Sequence, residues 1–362
     1  YRSLPTSMVM QEREEKKPTF VLMRGEYDKP GAQVAAGIPA SLGTLPADLP
    51  SNRLGLARWL VDPSNPLTAR VIVNRYWQMY FGNGLVKTTE DFGSQGAWPT
   101  HPDLLDWLAT EFIRSGWDVK RLQKLIVTSA TYRQSSHVSA ALNQVDPENQ
   151  LLARAGRLRL PAETIRDQAL FSAGLLRTTI GGPSVKPYQP QGVWKEIASQ
   201  EYEPGTGDDL FRRSMYTFWK RTVPPPAMAT FDAPTRETCT VKRSRTNTPL
   251  QALALLNDVT YVEASRKLAE RMLNQAGQQP ALRIRYAMRV VLAREPDERE
   301  LAIFLNGYER NLKRFQNAPE AAQKLLSVGD SRPLKQYDIA EHAAYTVIAS
   351  LILNLDETIN RE

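Results

Sequence analysis

The stretch FDAPTRETCTVKRSRTNTPLQALALLND, residues 231–258, holds the chain's single cysteine, Cys239, among arginines and carboxylates. A thiol becomes a nucleophile as its thiolate, which nearby cations or a helix N-terminus stabilise. Read as a helix over 233–243, the stretch sets Arg236, Cys239 and Arg243 on one face at i, i+3 and i+7, and the thiol would be reactive. Read as an extended segment, Cys239 shares a face with Val241 while Thr238, Thr240 and Lys242 point the other way. The sulfur is then buried and inert, the reading favoured here because no histidine lies nearby in sequence to act as a base.

Arg236, Arg243 and Arg245 offer the fork geometry that binds carboxylate, sulfate or phosphate. With Trp219 and Arg221 on MYTFWKR, a run expected to be a strand, they would line a groove for an anion or a sugar. The alternative is that they pair with Asp232, Glu237 and other acids and pin the segment down. For an enzyme, Asp91, Asp232 and Glu237 are the carboxylates that would work beside an arginine clamp. Glycoside hydrolysis would require a defined separation between two of them. Elsewhere, Arg75, Trp77 and Gln78 are expected in a core-packed helix with a buried arginine pair. His101 is expected at a helix start, and Glu163, Arg166 and Asp167 form a structural ion-pair pattern at i, i+3 and i+4.

Several chemistries lack their residues. Three widely separated histidines give no zinc spacing, although a carboxylate-rich calcium site stays open. One cysteine allows neither an internal disulfide nor a C-x-x-C-H haem attachment, so no cofactor or metal is expected in this chain. Neither a phosphate-binding G-x-x-x-x-G-K-[ST] nor a G-x-S-x-G elbow occurs. The net charge of +7 suits anionic partners, or merely solubility. The cations are interspersed with acids in no continuous basic stripe, so nucleic acid is not the expected partner. No apolar run reaches the roughly 20 residues of a membrane span. The chain starts at Tyr1 without a signal peptide and reads as a fragment.

The elements that must position these groups follow from caps and periodicity. Residues 1–50, with the charged run QEREEKK, a short β-like run from Thr19 to Met23 and Gly/Pro/Ala-rich punctuation, read as an extended N-terminal arm. Residues 51–362 read as one helical domain. Asn65 and Pro66 start a helix that Gly82 stops, and Thr100 and Asp103 form a capping-box variant before Leu105, Leu108 and Phe112. Asp118 caps the next helix, and Pro161 precedes another. From 181 to 247 the periodicity breaks into a long irregular insert, and structureless stretches of this length are more often functional than accidental. Thr248, Pro249 and Gln251 predict a reciprocal capping box opening a helix over 249–274, followed by helices over 281–294, 297–316 and 338–354. The fold class is mainly α: a multi-helix, bundle-like core with an extended arm and an irregular insert carrying short β-strands.

Long motifs in fixed order run through the chain: VLMRGEYDKPG, NRLGLARWLVDPSNPLTARVIVNRYWQMYFGNGLVKTTEDFG, HPDLLDWLATEF, LPAETIRDQAL, GGPSVKPYQPQGVW, the 212–258 segment and LILNLDE. Together they resemble the planctomycete-type C-terminal domain of unknown function that closes exported cytochrome c-like, haem-attaching proteins. The resemblance implies an exported protein of the periplasm or cell envelope. Its partners would be upstream haem-binding domains, with haem c held there and not in this chain, in bacteria that often degrade sulfated polysaccharides. It offers no catalytic residues to carry over. The expected role is an accessory domain that binds acidic polysaccharide or a partner protein through the insert. The alternative is a polysaccharide hydrolase or lyase. A cleft of acids with raised pKa would favour the enzyme, arginines and tryptophans on an open face the binding module, and arginines buried on backbone carbonyls a scaffold.

Overall fold

The computed structural model describes residues 6–15, 17–195 and 201–361, and their regular structure is mainly helical. Contacts group Tyr1–Tyr76 with His101–Leu125, and Trp77–Thr100 with Ile126–Glu362. The boundary expected at residue 50 falls inside the first unit.

The first unit opens with an antiparallel ribbon of β1 (Thr19–Leu22) and β2 (Pro30–Val34), bulged between Phe20 and Leu22. Helix α1 (Arg53–Leu60) starts where the Asn52 side chain accepts from Gly55 N at 3.1 Å. The first turns of α2 (Thr68–Phe81) follow Asn65, whose Oδ1 accepts from the backbone N–H of Leu67 and Thr68 at 3.0 Å, the cap its sequence predicts. Helix α3 (Pro102–Arg114) buries Leu105, Leu108 and Phe112, and Arg70 ties it to α2 through Asp106 at 2.6 Å. Its N-cap is His101, one residue past the expected Thr100. Asp118 caps α4 (Val119–Val127), whose buried face includes Leu122 and Ile126.

The second unit holds the end of α2, then α5 (Ala140–Val145), β3 (Leu158–Arg159), α6 (Ala162–Ala173), α7 (Pro226–Thr230), α8 (Pro249–Asn257) and α9 (Val259–Gln275). Helices α10 (Pro280–Leu292), α11 (Glu298–Asn317), α12 (Pro319–Leu326), α13 (Ile339–Leu353) and α14 (Asp356–Ile359) lead to β4 (Asn360–Arg361). Helix α13 is apolar around its circumference, so it sits at the centre, packed on α9, α11 and α12. Tyr345, Ile348 and Ile352 meet Leu268, Met272 and Met288 in the core, and truncating such a side chain to Ala typically costs about 2–5 kcal/mol. No helix among the described residues is long and apolar enough to cross a membrane.

Three local expectations fail for physical reasons. Gln251 does not reach back to its own helix cap. It is buried, and its Nε2 donates to Thr230 O at 3.0 Å and Thr246 Oγ1 at 3.2 Å, so packing against the insert wins. The run 249–274 is two helices, because Asp258 takes an extended conformation and caps α9 through Thr260 N at 2.9 Å. MYTFWKR forms no strand: Ser214–Tyr216 is a 3-10 turn, followed by single bridges from Thr217 to Val185 and Lys220 to Val223. Only Thr217 of the run is buried, and single bridges, not a strand ladder, hold its backbone.

Candidate anion-binding groove

β3 and β4 pair antiparallel, with Leu158 opposite Arg361 and Arg159 opposite Asn360. That pairing brings the chain's C-terminal arginine beside the run RAGRLRL. α2 ends nearby at Gly82, whose φ of +86° suits a residue without a Cβ. A Cβ there would stand 2.5 Å from Leu158 Cδ2 and 3.3 Å from Arg245 Nη1, so the glycine also lets the 240–245 segment approach. Between these segments, wholly within the second unit, runs a groove of about 1180 Å³. Among the described residues, its walls carry eight cationic side chains, Lys87, Arg154, Arg157, Arg159, Lys242, Arg243, Arg245 and Arg361, against two carboxylates, Glu148 and Glu163.

Some of these charges are paired. Lys87 meets Glu148 at 2.9 Å, Arg243 meets Glu163 at 2.8 Å, and Arg157 pairs with Asp356. Arg361 donates to Tyr80 O and to Gly156 O, and lies over the Tyr132 ring at 5.0 Å. Lys242, Arg159 and Arg245 make no ion pair among the described residues. Burial lowers the Arg245 pKa, and the like charge of Arg361 lowers it further. Burial also lowers that of Arg159, against the pull of Asp232. Arg154 and Arg159 each keep one Nη1 covered and without an acceptor. Crowded, partly desolvated cations of this kind are relieved by a bound anion.

Of the residues singled out from sequence, Arg243 and Arg245 line the groove. Arg236 instead stacks on Trp219 with 4.3 Å to the ring centroid, and Trp219 Nε1 donates to Thr235 O at 2.9 Å. Arg221 faces Glu237 at 4.0 Å, both exposed, in the pairing alternative weighed for this segment. Both Asp232 oxygens accept from Thr246, from its N at 2.7 Å and from its Oγ1 at 2.9 and 3.0 Å. Asp91 accepts from Gly93 N at 2.7 Å. Asp91, Asp232 and Glu237 are not among the residues that line the groove. Cys239 is exposed in irregular backbone, which corrects both its helical and its buried, extended readings.

The groove's own carboxylates are held ionised. Burial pushes Glu163 up, but the Arg243 hydrogen bond and the Arg243 and Arg236 charges bring it below the usual range. Lys87 and then Gln150 hold Glu148 below its range. Neither is poised to donate a proton near neutrality.

Other arginines are structural. Buried Arg166 donates to Arg212 O at 3.0 Å, Leu210 O at 2.5 Å and Ser214 Oγ at 3.2 Å, with Asp167 farther away at 3.8 Å. Glu163 in the same pattern turns to Arg243 instead. Arg212 donates to Pro183 O, Thr179 O and Gly181 O, fixing the start of the insert. Arg75 is exposed and not part of a buried pair, while Trp77 packs inward and stacks on Phe81 at 4.1 Å.

Sequence reasoning missed Lys87, Arg154, Arg157, Arg159 and Arg361, and with them Trp98, an exposed groove residue. The available signal was the period-two RLRL run, which in a strand sets Arg157 and Arg159 on one face.

Residues 52–308 match the family model described as PSD1: Protein of unknown function (DUF1553). Neither the curated proteins nor the solved structures give a match.

Proposed function

The chain belongs to the PSD1 family of proteins of unknown function (DUF1553), and we propose that it is an accessory binding module holding an acidic polysaccharide in the groove of its second unit. One observation carries the reading: among the described residues, eight cations face two acids in a single groove, with Arg245 and Arg361 crowded together and no carboxylate paired to Arg245. Guanidinium forks match sulfate and carboxylate geometry, and a volume above the roughly 300–1,000 Å³ of small-ligand pockets suits a chain of rings. On the motif resemblance, the module is part of an exported protein of the periplasm or cell envelope, working beside upstream haem-attaching domains.

The test is calorimetric titration of the full chain with a sulfated polysaccharide, its desulfated form and duplex DNA, each at low and moderate salt. An Arg159/Arg245 double-alanine variant is run alongside. The reading expects sulfate-dependent binding that weakens with salt and is largely lost in the variant. Equal binding of the desulfated form, or no loss in the variant, would overturn it. Tighter binding of DNA would reassign the groove to nucleic acid.

A further inference from the structure

Trp98 stands in the groove lining with 91% of its surface exposed. A large apolar ring is ordinarily worth burying, so a fully exposed one held on a rigid support calls for a partner. The support is rigid. Thr88 Oγ1 donates to Asp91 O at 2.7 Å and accepts from Ala97 N at 2.8 Å. Asp91 Oδ1 closes the inner turn on Gly93 N, and Thr100 N donates to Leu85 O at 2.8 Å. A Cβ on Gly96 would lie 2.2 Å from Asp91 O, so the loop closes around a glycine. The backbone is thus tied at Ala97 and Thr100, with Pro99 fixing φ between them.

Resting on the reading of the groove as a polyanion site, we propose that Trp98 is a stacking platform for one sugar ring, while Arg159 and Arg245 take the sulfate or carboxylate of neighbouring rings. An indole face accepts the C–H face of a pyranose, and a preorganised loop removes the entropy cost of holding the ring in place. The charge excess selects an acidic glycan over a neutral one. Nonspecific single-strand binders rely on successive stacked bases, whereas the groove's other large aromatics, Trp77 and Phe81, are buried.

The test compares wild type, Trp98→Ala, Trp98→Phe and the Arg159/Arg245 double-alanine variant, each titrated with a short sulfated oligosaccharide, inorganic polyphosphate and single-stranded DNA. Because Trp98 is exposed, its variants should keep the wild-type melting temperature. The expected result is a loss on the order of tenfold for the oligosaccharide in Trp98→Ala, largely restored in Trp98→Phe. Polyphosphate, which has no ring to stack, binds that variant as it binds wild type, and the arginine variant loses both. If the arginine variant loses both ligands while Trp98→Ala loses neither, the platform is refuted and the anion groove stands. If wild type binds neither, both readings fall. If single-stranded DNA binds more tightly and depends on Trp98, the platform takes bases and the saccharide assignment is overturned.

Discussion

Arg243 Nη1 donates to Glu163 Oε2 at 2.8 Å, joining the irregular 240–245 segment to the first turn of α6 across 80 residues of sequence. The pair holds one wall of the groove in place, and it also sets a negative charge inside a cationic site. Replacing Glu163 with Gln should cost under about 1 kcal/mol of stability, because Arg243 is substantially exposed. It should tighten polyanion binding roughly three- to tenfold by freeing Arg243 and removing a repulsive charge. Glu163 stays ionised until pH falls below its ordinary 4.5, so its repulsion is constant near neutrality and gives binding no pH dependence there. Titration of the Gln variant with a sulfated oligosaccharide checks the sign, and weaker binding would show that the ion pair positions Arg243 for the ligand.

A second carboxylate contributes to the stability of the second unit in acid. Arg294 reaches Glu300 at 2.7 Å and Glu357 at 2.8 Å, linking the start of α11 to α14. The Arg294 hydrogen bond is the main reason that Glu300 falls to about 2 from 4.5. Because the folded value lies below the unfolded one, the contribution is complete above pH 4.5 and drains away as pH falls towards 2. With solvent screening it amounts to about 1–2 kcal/mol. Glu300→Gln keeps a side chain able to complete the capping box with Asp297, so its loss in urea midpoint at neutral pH should measure the ion pair. The difference from wild type should close as both are acidified.

Helix boundaries and the apolar core were legible in the sequence because caps and 3.6-residue stripes act locally. Asn65, Asp118 and Gly82 sit where their chemistry puts them. The insert was legible only as a break in pattern. Its backbone is fixed by Arg166 and Arg212, whose partners are carbonyls some 30 to 50 residues away, and no local rule encodes such distances. The groove was half legible. Arg243 and Arg245 were found because they cluster in sequence, while Arg361 and Lys87 enter through β3–β4 pairing and the loop after α2. Leu250 and Leu253 show the same limit in reverse: helical spacing suggests a core stripe, yet both are exposed, and Gln251 and Leu255 face inward.

His342 predicts loss of stability in mild acid. It is buried in α13 with Glu270 Oε1 at 3.8 Å, the Tyr337 ring at 6.0 Å, and the Arg266 and Lys267 charges nearby. Burial lowers its pKa most, with Arg266 and Lys267 adding to the effect, while Glu270 and the Arg266 carbonyl pull the other way. The unfolded chain therefore takes up this proton more readily. Stability is full above the unfolded value of 6.5 and falls as pH drops below it, by at most about 1.4 kcal/mol per pH unit. Urea unfolding of wild type and His342→Gln from neutral pH down to about pH 5 should show that slope in wild type and a flatter one in the variant. Parallel slopes would mean that another group takes up the proton.

Beneath His342 lies a buried charge network that fastens the insert to the helices. Glu263 Oε1 accepts from Ser331 N at 2.7 Å and Oγ at 2.5 Å, and its Oε2 accepts from Tyr188 OH at 2.8 Å. Arg266 meets Glu270 at 3.2 Å and Glu263 at 3.5 Å, so two arginine and lysine charges, Arg266 and Lys267, balance two carboxylates. Removing one charge from such a set leaves its partner uncompensated, and Glu263→Ala should cost about 3–5 kcal/mol. Tyr188→Phe acts differently. Its hydroxyl also accepts from Asp330 N at 2.7 Å, and Asp330 in turn accepts from Gly207 N at 3.1 Å, so the tyrosine bridges the insert and the 329–331 loop without being one of the balanced charges. Its loss should cost about 1–3 kcal/mol and act locally. Hydrogen-exchange mass spectrometry should then show faster exchange at 186–190, 205–209 and 329–332, with α9 and α13 as protected as in wild type. Equal deprotection of α9 and α13 in Tyr188→Phe would instead make the insert part of the cooperative core, and the groove would then be lost together with the helices and not before them.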